Sequence, residues 1–527
     1  MEKMQTMELR NFYLVGILSL VLSYPLSSAT VCLSSNKLII KNKHGKGSFN
    51  KSGDLKRAYK LSRQTIAPPH ITNSLHTSFN GKDIIVVDNS SILDQIEKES
   101  FNVNISSDKK KQTIWGFGAA VTGACLDNIE TLSKEDQQNT LMKLFSPING
   151  AGLSLLRLPI GSNDFTSEDF SLDDTPGNTP DPKLKKMNMK RLDRLLDFVK
   201  KAKKINPNIQ VIISTWSPPA WMKNTKKLRG GEINQSSYPS YANYLTKVIK
   251  HIQNNNIKVK AMTVLNEPYI ENAKTDWSFP QSYMSIKDQK NFVTNYLKPS
   301  LKANNIKIAI LAHDHNWDNA GDSLAAIDDK NSRYAQDIGG IAYHCYGGNF
   351  ETLKQSLKSH PNLIAINTEC SGTLSSYDKS GDLQWWLESQ SVDAIKEGLS
   401  GSLGWNLCLD PKGGPHNGGC ENCRGLLTID KNSANNKIIE NPEYFALAQT
   451  SRFVTTGAHV IEATNSNRSG IVSVAFENPD RSIILVIRNP TDKVFSASIK
   501  FDNYQVGTKL IPAKGATSLL ITRSLRK

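Results

Sequence analysis

The sequence predicts a (β/α)8 barrel with a side β-sandwich domain built from both chain ends. Two observations carry that class. Eight short, near-continuous apolar runs alternate with amphipathic stretches over about 340 residues, and the hydrophobic period switches to two beyond about residue 460. Near-continuous runs suit parallel strands buried on both faces. Eight strand–helix alternations close a barrel. A doubly wound open sheet is the alternative. Polar and aromatic residues cluster after most of the runs, as a ring of strand ends requires, and this favours the barrel.

The elements follow in chain order. Residues 1–29 pair Lys3 and Arg10 with an apolar run, Phe12–Leu22, then Pro25 and the small residues Ser27, Ser28 and Ala29. The run is too short to span a bilayer and reads as a secretory signal peptide cut near Ala29. The protein is therefore expected outside the cytoplasm, where disulfides can form. Residues 30–80 read as a basic, flexible extension. Between Lys37 and Arg63 there are nine Lys/Arg and one acid, so this stretch carries +8 of a formal charge of +15. It allows contact with an anionic membrane surface. It has no zinc-finger spacing or RNA-binding aromatic motif, so no nucleic acid partner is expected.

Residues 81–113 hold strand-like Ile84–Val87 and Phe101–Ile105, expected to complete the side domain. The barrel runs are Ile114–Ala120, Leu153–Leu158, Val211–Thr215, Val259–Leu265, Ile308–Ala312, Ile338–Tyr343, Leu363–Ile366 and Ser402–Leu407. Helices are expected at Met187–Lys203, Tyr241–Asn254 and Asp288–Asn304. In the first, Leu192, Leu195, Leu196 and Val199 fall on one face. The barrel spans 114–458. The C-terminal sandwich, 459–527, has strands near Ile471–Phe476, Ile483–Ile487, Phe495–Phe501 and Ser518–Thr522.

A barrel places its site at the C-terminal strand ends. Two carboxylates follow apolar runs there: Glu267 after the fourth run and Glu369 after the seventh. Opposed across the mouth, with Trp216 and Trp405 offering flat faces to sugar rings, they are the equipment of glycoside hydrolysis. One acid must carry a proton to the leaving oxygen and the other must be ionised. Burial and like charge separate their pKa values.

The residues here resemble glycoside hydrolase family 30, the glucosylceramidase-like group, from about Ile114 through the C-terminal sandwich. The resemblance rests on an ordered set of segments: Trp115–Thr122, Leu156-Arg157-Leu158-Pro159, Ser162-Asn163-Asp164-Phe165, Trp216–Trp221, Asn266-Glu267-Pro268, His344-Cys345-Tyr346, Thr368-Glu369-Cys370 and Trp405-Asn406 with Pro411–Pro415. It implies a retaining β-glucosidase with Glu267 as acid/base and Glu369 as nucleophile, carboxyl groups about 5 Å apart. It implies Asn266 on the sugar 2-hydroxyl, with Asp164, Trp216 and Trp405 on the other hydroxyls. Arg157 would keep Glu369 ionised, and His344 and Tyr346 would border the nucleophile. No cofactor and no metal are implied.

The leading reading is a glucosylceramidase, releasing glucose and ceramide; the runner-up is an endo-β-1,6-glucanase. A non-catalytic sugar- or surface-binding protein is the alternative from another class, and the intact carboxylate pair argues against it. Two departures bear on the choice. Glucosylceramidases of the family tend to have Trp where Cys345 stands, and the loop His416–Gly425 looks more like the members that cut β-1,6-glucan. Seven cysteines leave at least one unpaired. Cys420 and Cys423 are expected to form a local disulfide, since one CxxC lacks the four ligands of structural zinc. Cys345 and Cys370 read as buried packing. His313-Asp314-His315 is too small a set for a metal.

Overall fold

The computed structural model describes residues 30–34, 37–42, 45–50, 68–79, 83–88, 99–375, 378–434, 437–466 and 470–522. The expected signal peptide, residues 1–29, lies outside them. Eight parallel strands close a barrel in chain order. They are Gly116–Ala120, Leu155–Ile160, Gln210–Thr215, Val259–Thr263, Ala309–Asn316, Gly340–His344, Ala365–Glu369 and Gly401–Gly404. Closure comes where the eighth strand pairs with the first, Gly401 to Gly404 against Gly116 to Ala119.

One ring of side chains fills the barrel interior. Trp115, Leu155, Ile212, Ala261, Leu311, Ala342, Ile366 and Leu403 form one buried cluster, one residue from each strand or its start. Helices pack outside with their apolar faces inward. Asp193–Ile205 buries Leu195, Leu196, Phe198, Val199 and Ala202, and Tyr238–Asn254 buries residues at helical spacing along its whole length. The helix expected at Asp288–Asn304 is α-helical over Ile286–Phe292 and Lys298–Ala303, with a π-helical turn between them.

The side domain is one nine-stranded sheet among the described residues. Its core is apolar, with Phe101, Val103 and Ile105 from before the barrel packed on Ile461, Leu485, Ile487, Ala497, Ile499 and Leu519 from after it. Glu99–Thr113 pairs on one side with Phe495–Phe501 and on the other with His459–Asn465. Both chain ends therefore build this domain.

Part of the stretch expected as a flexible extension, 30–80, lies outside the described residues, but its last ten described residues are ordered in the side domain. His70–Phe79 is a strand between Gly515–Thr522 and Ile84–Asp88. Ladder hydrogen bonds satisfy its backbone, so a polar sequence without apolar periodicity still orders there. Thr30–Ser34, Lys37–Asn42 and Gly45–Asn50 also form a three-stranded antiparallel sheet. No helix of the described residues is long and apolar enough to cross a membrane.

Candidate active site

Successive inward side chains on a strand are two residues apart. Two residues above the apolar ring stand Arg157, Ser214, Thr263, His344, Thr368 and Trp405. On the fifth strand the register slips between His313 and His315, with positive φ at His313 and Asp314, and Asp314 joins this layer instead. The mouth is thus a polar storey built directly on a hydrophobic floor.

Arg157 is its hub and is fully buried. Its guanidinium donates to Glu369 Oε2. It also donates to Asn266 Oδ1 and Asp314 Oδ2, each at 2.8 Å. Asp314 accepts further bonds from Ser214, Thr263 and Thr368. Burial alone would raise the Asp314 carboxyl, but Arg157 and His344 hold it well below the usual carboxylate range. A buried charge is tolerated only when paired and hydrogen-bonded in this way.

Glu267 and Glu369 face each other as expected. One carboxylate oxygen of each and a ring nitrogen of His344 all lie within 4.8 Å of one another. His344 Nδ1 is 2.8 Å from Glu267 Oε1, and Nε2 is 3.2 Å from Asp314 Oδ1. Burial disfavours the imidazolium, but Glu369, Asp314 and Glu267 outweigh it and raise His344 to about 9. Both nitrogens therefore donate to carboxylates. Tyr346 Oη donates to Glu369 Oε1 at 3.0 Å.

His344 borders Glu369 as well as Glu267, with a ring nitrogen within 4.8 Å of a carboxylate oxygen of each, and its hydrogen bond goes to Glu267 Oε1. The two carboxyls are displaced in opposite directions. Burial pushes Glu369 up, against the pull of His344 and Arg157. Burial acts on Glu267 too, but the hydrogen bond and charge of His344 leave it below its usual value. The reason is the imidazolium contact, which the order of residues in the chain does not display.

Trp216 and Trp405 stack on each other, with ring centroids 5.0 Å apart, and both are buried. Arg157 lies over the Trp216 ring at 4.7 Å. The indoles form one wall packed under the cation rather than two open platforms, because both strand ends turn into the barrel mouth. Asp164 is buried beside them. Burial and the charges of Glu369 and Glu267 raise it well above the usual carboxylate range, against a hydrogen bond from Trp405. Its Oδ1 has no partner, as suits a group that awaits a ligand's hydroxyl. Gly419 presses on Asp164 at φ +74, where a Cβ would come 2.4 Å from the Asp164 side chain. The loop from Asn417 to Cys423 therefore closes this side of the pocket. The expected Cys420–Cys423 disulfide is present. Arg229 ties the loop down through Asn417 and Asp169.

Sequence reasoning missed three features. Asp314 lies within the His313-Asp314-His315 set, and the signal for it is a charged residue two positions beyond the fifth apolar run. Cys345 and Cys370 form a disulfide that joins the residues following His344 and Glu369. Gln281 and Lys223 support the backbone at Glu267. Gln281 Nε2 donates to the carbonyls of Asn266 at 2.7 Å and Glu267 at 3.1 Å, and buried Lys223 donates to Ser217 Oγ and to the carbonyls of Leu228 and Gln281. Glu267 has φ +40, which costs on the order of 1 kcal/mol or more and needs such support. Of the potential metal ligands, Glu267, His344 and Glu369 form a compact group. Both His344 nitrogens already meet carboxylates, and Arg157 occupies Glu369, so a cation there would have to break these bonds.

The chain matches the family model described as the glycosyl hydrolase family 30 TIM-barrel domain over residues 114–454. Residues 457–519 match that family's beta sandwich domain. The chain belongs to glycosyl hydrolase family 30. It is therefore a glycosidase by family. Among family relatives, an Aspergillus fumigatus protein named endo-1,6-beta-D-glucanase neg1 is 29% identical over 80% of this chain and 87% of its own. The lysosomal acid glucosylceramidase of Mus musculus is 24% identical over 73% of this chain and 77% of its own. The solved endo-beta1,6-glucanase BT3312 superposes with a TM-score of 0.74 at 28% identity, covering 86% of this chain and 99% of its own.

Proposed function

We propose that this chain is a secreted retaining β-glycosidase that cleaves β-1,6-glucan. The observation that carries the mechanism is the Glu267–Glu369 pair, with oxygens within 4.8 Å. Double displacement uses carboxyls about 5 Å apart, whereas an inverting enzyme needs roughly 6.5–9.5 Å to admit a water. Glu369 attacks the anomeric carbon while Glu267 protonates the departing glycosidic oxygen. The C–O bond to the leaving group breaks as the bond to Glu369 forms. Glu267 then takes a proton from water, which displaces Glu369 and restores the original anomeric configuration.

The reactive form has Glu267 protonated and Glu369 ionised. Arg157 and Tyr346 favour that arrangement by donating to Glu369. Asn266, held by Arg157, and Asp164, with its unpartnered oxygen, are placed to bind sugar hydroxyls. Asp164 is displaced toward its neutral form, so it can donate as well as accept.

Two observations support the glucan. The relatives named as endo-1,6-glucanases share 28–29% identity with this chain, and the loop carrying Cys420–Cys423 closes the pocket beside Asp164. Glucosylceramide is the second reading, favoured by relatives named glucosylceramidases from Caenorhabditis elegans at 26–28%. On that reading the basic stretch Lys37–Arg63 would hold the enzyme near an anionic membrane.

Purified mature protein offered linear β-1,6-glucan and glucosylceramide side by side tests the choice. Oligosaccharides from the glucan with the lipid intact are expected; glucose and ceramide from the lipid alone would reverse the choice. Proton NMR of the first products should show the β-anomer, and initial release of the α-anomer would overturn the retaining mechanism. N-terminal sequencing of exported protein should begin just after Ala29.

A further inference from the structure

Cys125 and Cys408 stand apart from the two disulfides. Both are wholly buried free thiols, yet their Sγ atoms are only 2.8 Å apart. That is inside the contact distance of two unbonded sulfurs, while the partners of a bonded pair lie about 2.05 Å apart. Closing the gap takes a shift of about 0.8 Å, which a small change of side-chain torsion supplies. The backbones on either side are already locked together. Cys125 lies in the helix Gly123–Glu130, capped by Thr122. Thr122 Oγ1 donates to Asn406 Oδ1 at 2.5 Å, and the Leu407 amide donates to the Ala120 carbonyl at 3.1 Å. These contacts join the segment after the first barrel strand to the segment after the eighth.

We propose that Cys125 and Cys408 are joined in a third disulfide, which covalently closes the seam between the first and last strands of the barrel. Each thiol gives up a proton and one electron as the S–S bond forms. A small-molecule or protein disulfide accepts both electrons and both protons and becomes two thiols. The bonds Cys345–Cys370 and Cys420–Cys423 need the same class of oxidant. Burial and the neighbouring thiol hold the Cys408 sulfur in its protonated, unreactive form. The bond therefore forms on the folding chain, before the seam excludes the oxidant. The closed loop spans 283 residues and contains the second to eighth strands of the barrel. Trp405, three residues before Cys408, is thereby tethered close to a covalent anchor.

The test is a peptide map of the full chain, prepared so that Cys345–Cys370 and Cys420–Cys423 are paired and serve as internal controls. The protein is unfolded in guanidinium with iodoacetamide and no reductant. The peptides containing Cys125 and Cys408 should appear linked, lighter by two hydrogens than the sum of the free peptides. In Cys125→Ala, Cys408 should become fully alkylated. The wild-type thermal midpoint should exceed that of this variant by roughly 5 °C. Alkylation of both thiols in the wild type, or Cys408 linked to any other cysteine, would overturn the proposal.

Discussion

The barrel mouth and the side domain bury their residues equally well and for opposite ends. The mouth encloses Arg157, Asp314, Glu369 and His344 on top of an apolar ring. The side-domain core consists of Phe, Ile, Leu, Val and Ala from both chain ends. Burying hydrocarbon stabilises in proportion to its area. Burying charges costs stability unless every one is paired. The fold thus keeps its chemistry where charges hold one another, and draws stability where no charge is present. Substitutions should separate the two regions along that line.

The largest effect is expected in the mouth. Glu369→Gln should lower kcat by at least about 10^3-fold, with circular dichroism unchanged; retained turnover would break the mechanism. Leu485→Ala, in the side-domain core and wholly buried, should cost about 2–5 kcal/mol of stability, while the folded enzyme keeps its kcat. A drop in kcat at temperatures where it is fully folded would blur the division.

Gln281→Ala sharpens the comparison within the mouth. It leaves two backbone carbonyls at Asn266 and Glu267 without a donor and should lower kcat about tenfold to a hundredfold through misplacement of Glu267. KM should change much less; equal loss in both would mean that the pocket, rather than the acid, had shifted.

The smallest effect is a dependence of stability on pH. His344 is raised from 6.5 to about 9 in the folded protein. The folded state then holds a proton that the unfolded chain has lost, so this contribution is complete below pH 6.5 and fades as pH rises toward 9. The thermal midpoint should fall across that window, and His344→Gln should flatten the fall. Activity should follow a bell in pH, its acidic limb set by ionisation of Glu369 and its basic limb by loss of the Glu267 proton.

Much of this was legible in the chain. The eight apolar runs announce eight strands, and the residues closing them include Arg157, Asn266, Glu267, His344, Glu369 and Trp405. Even the two-storey mouth is written there as a spacing of two, in Leu155 and Arg157, Ala342 and His344, and Leu403 and Trp405. Asp314 escaped because a slip in register puts it three residues beyond Leu311 instead of two. The strand His70–Phe79 escaped because its neighbours, not its own pattern, make it a strand.

The barrel, the paired carboxylates and the family can be read from the chain alone. Local periodicity and strand-end residues suffice for these, since backbone geometry fixes which side chains point inward. It is the folded ring that brings His344 to Glu267, stacks Trp216 on Trp405, bonds Cys345 to Cys370 and sets Cys125 against Cys408. Each is a contact between separate strands or loops. Its distance depends on how the barrel closes, and closure is a property of the whole ring rather than of any one segment.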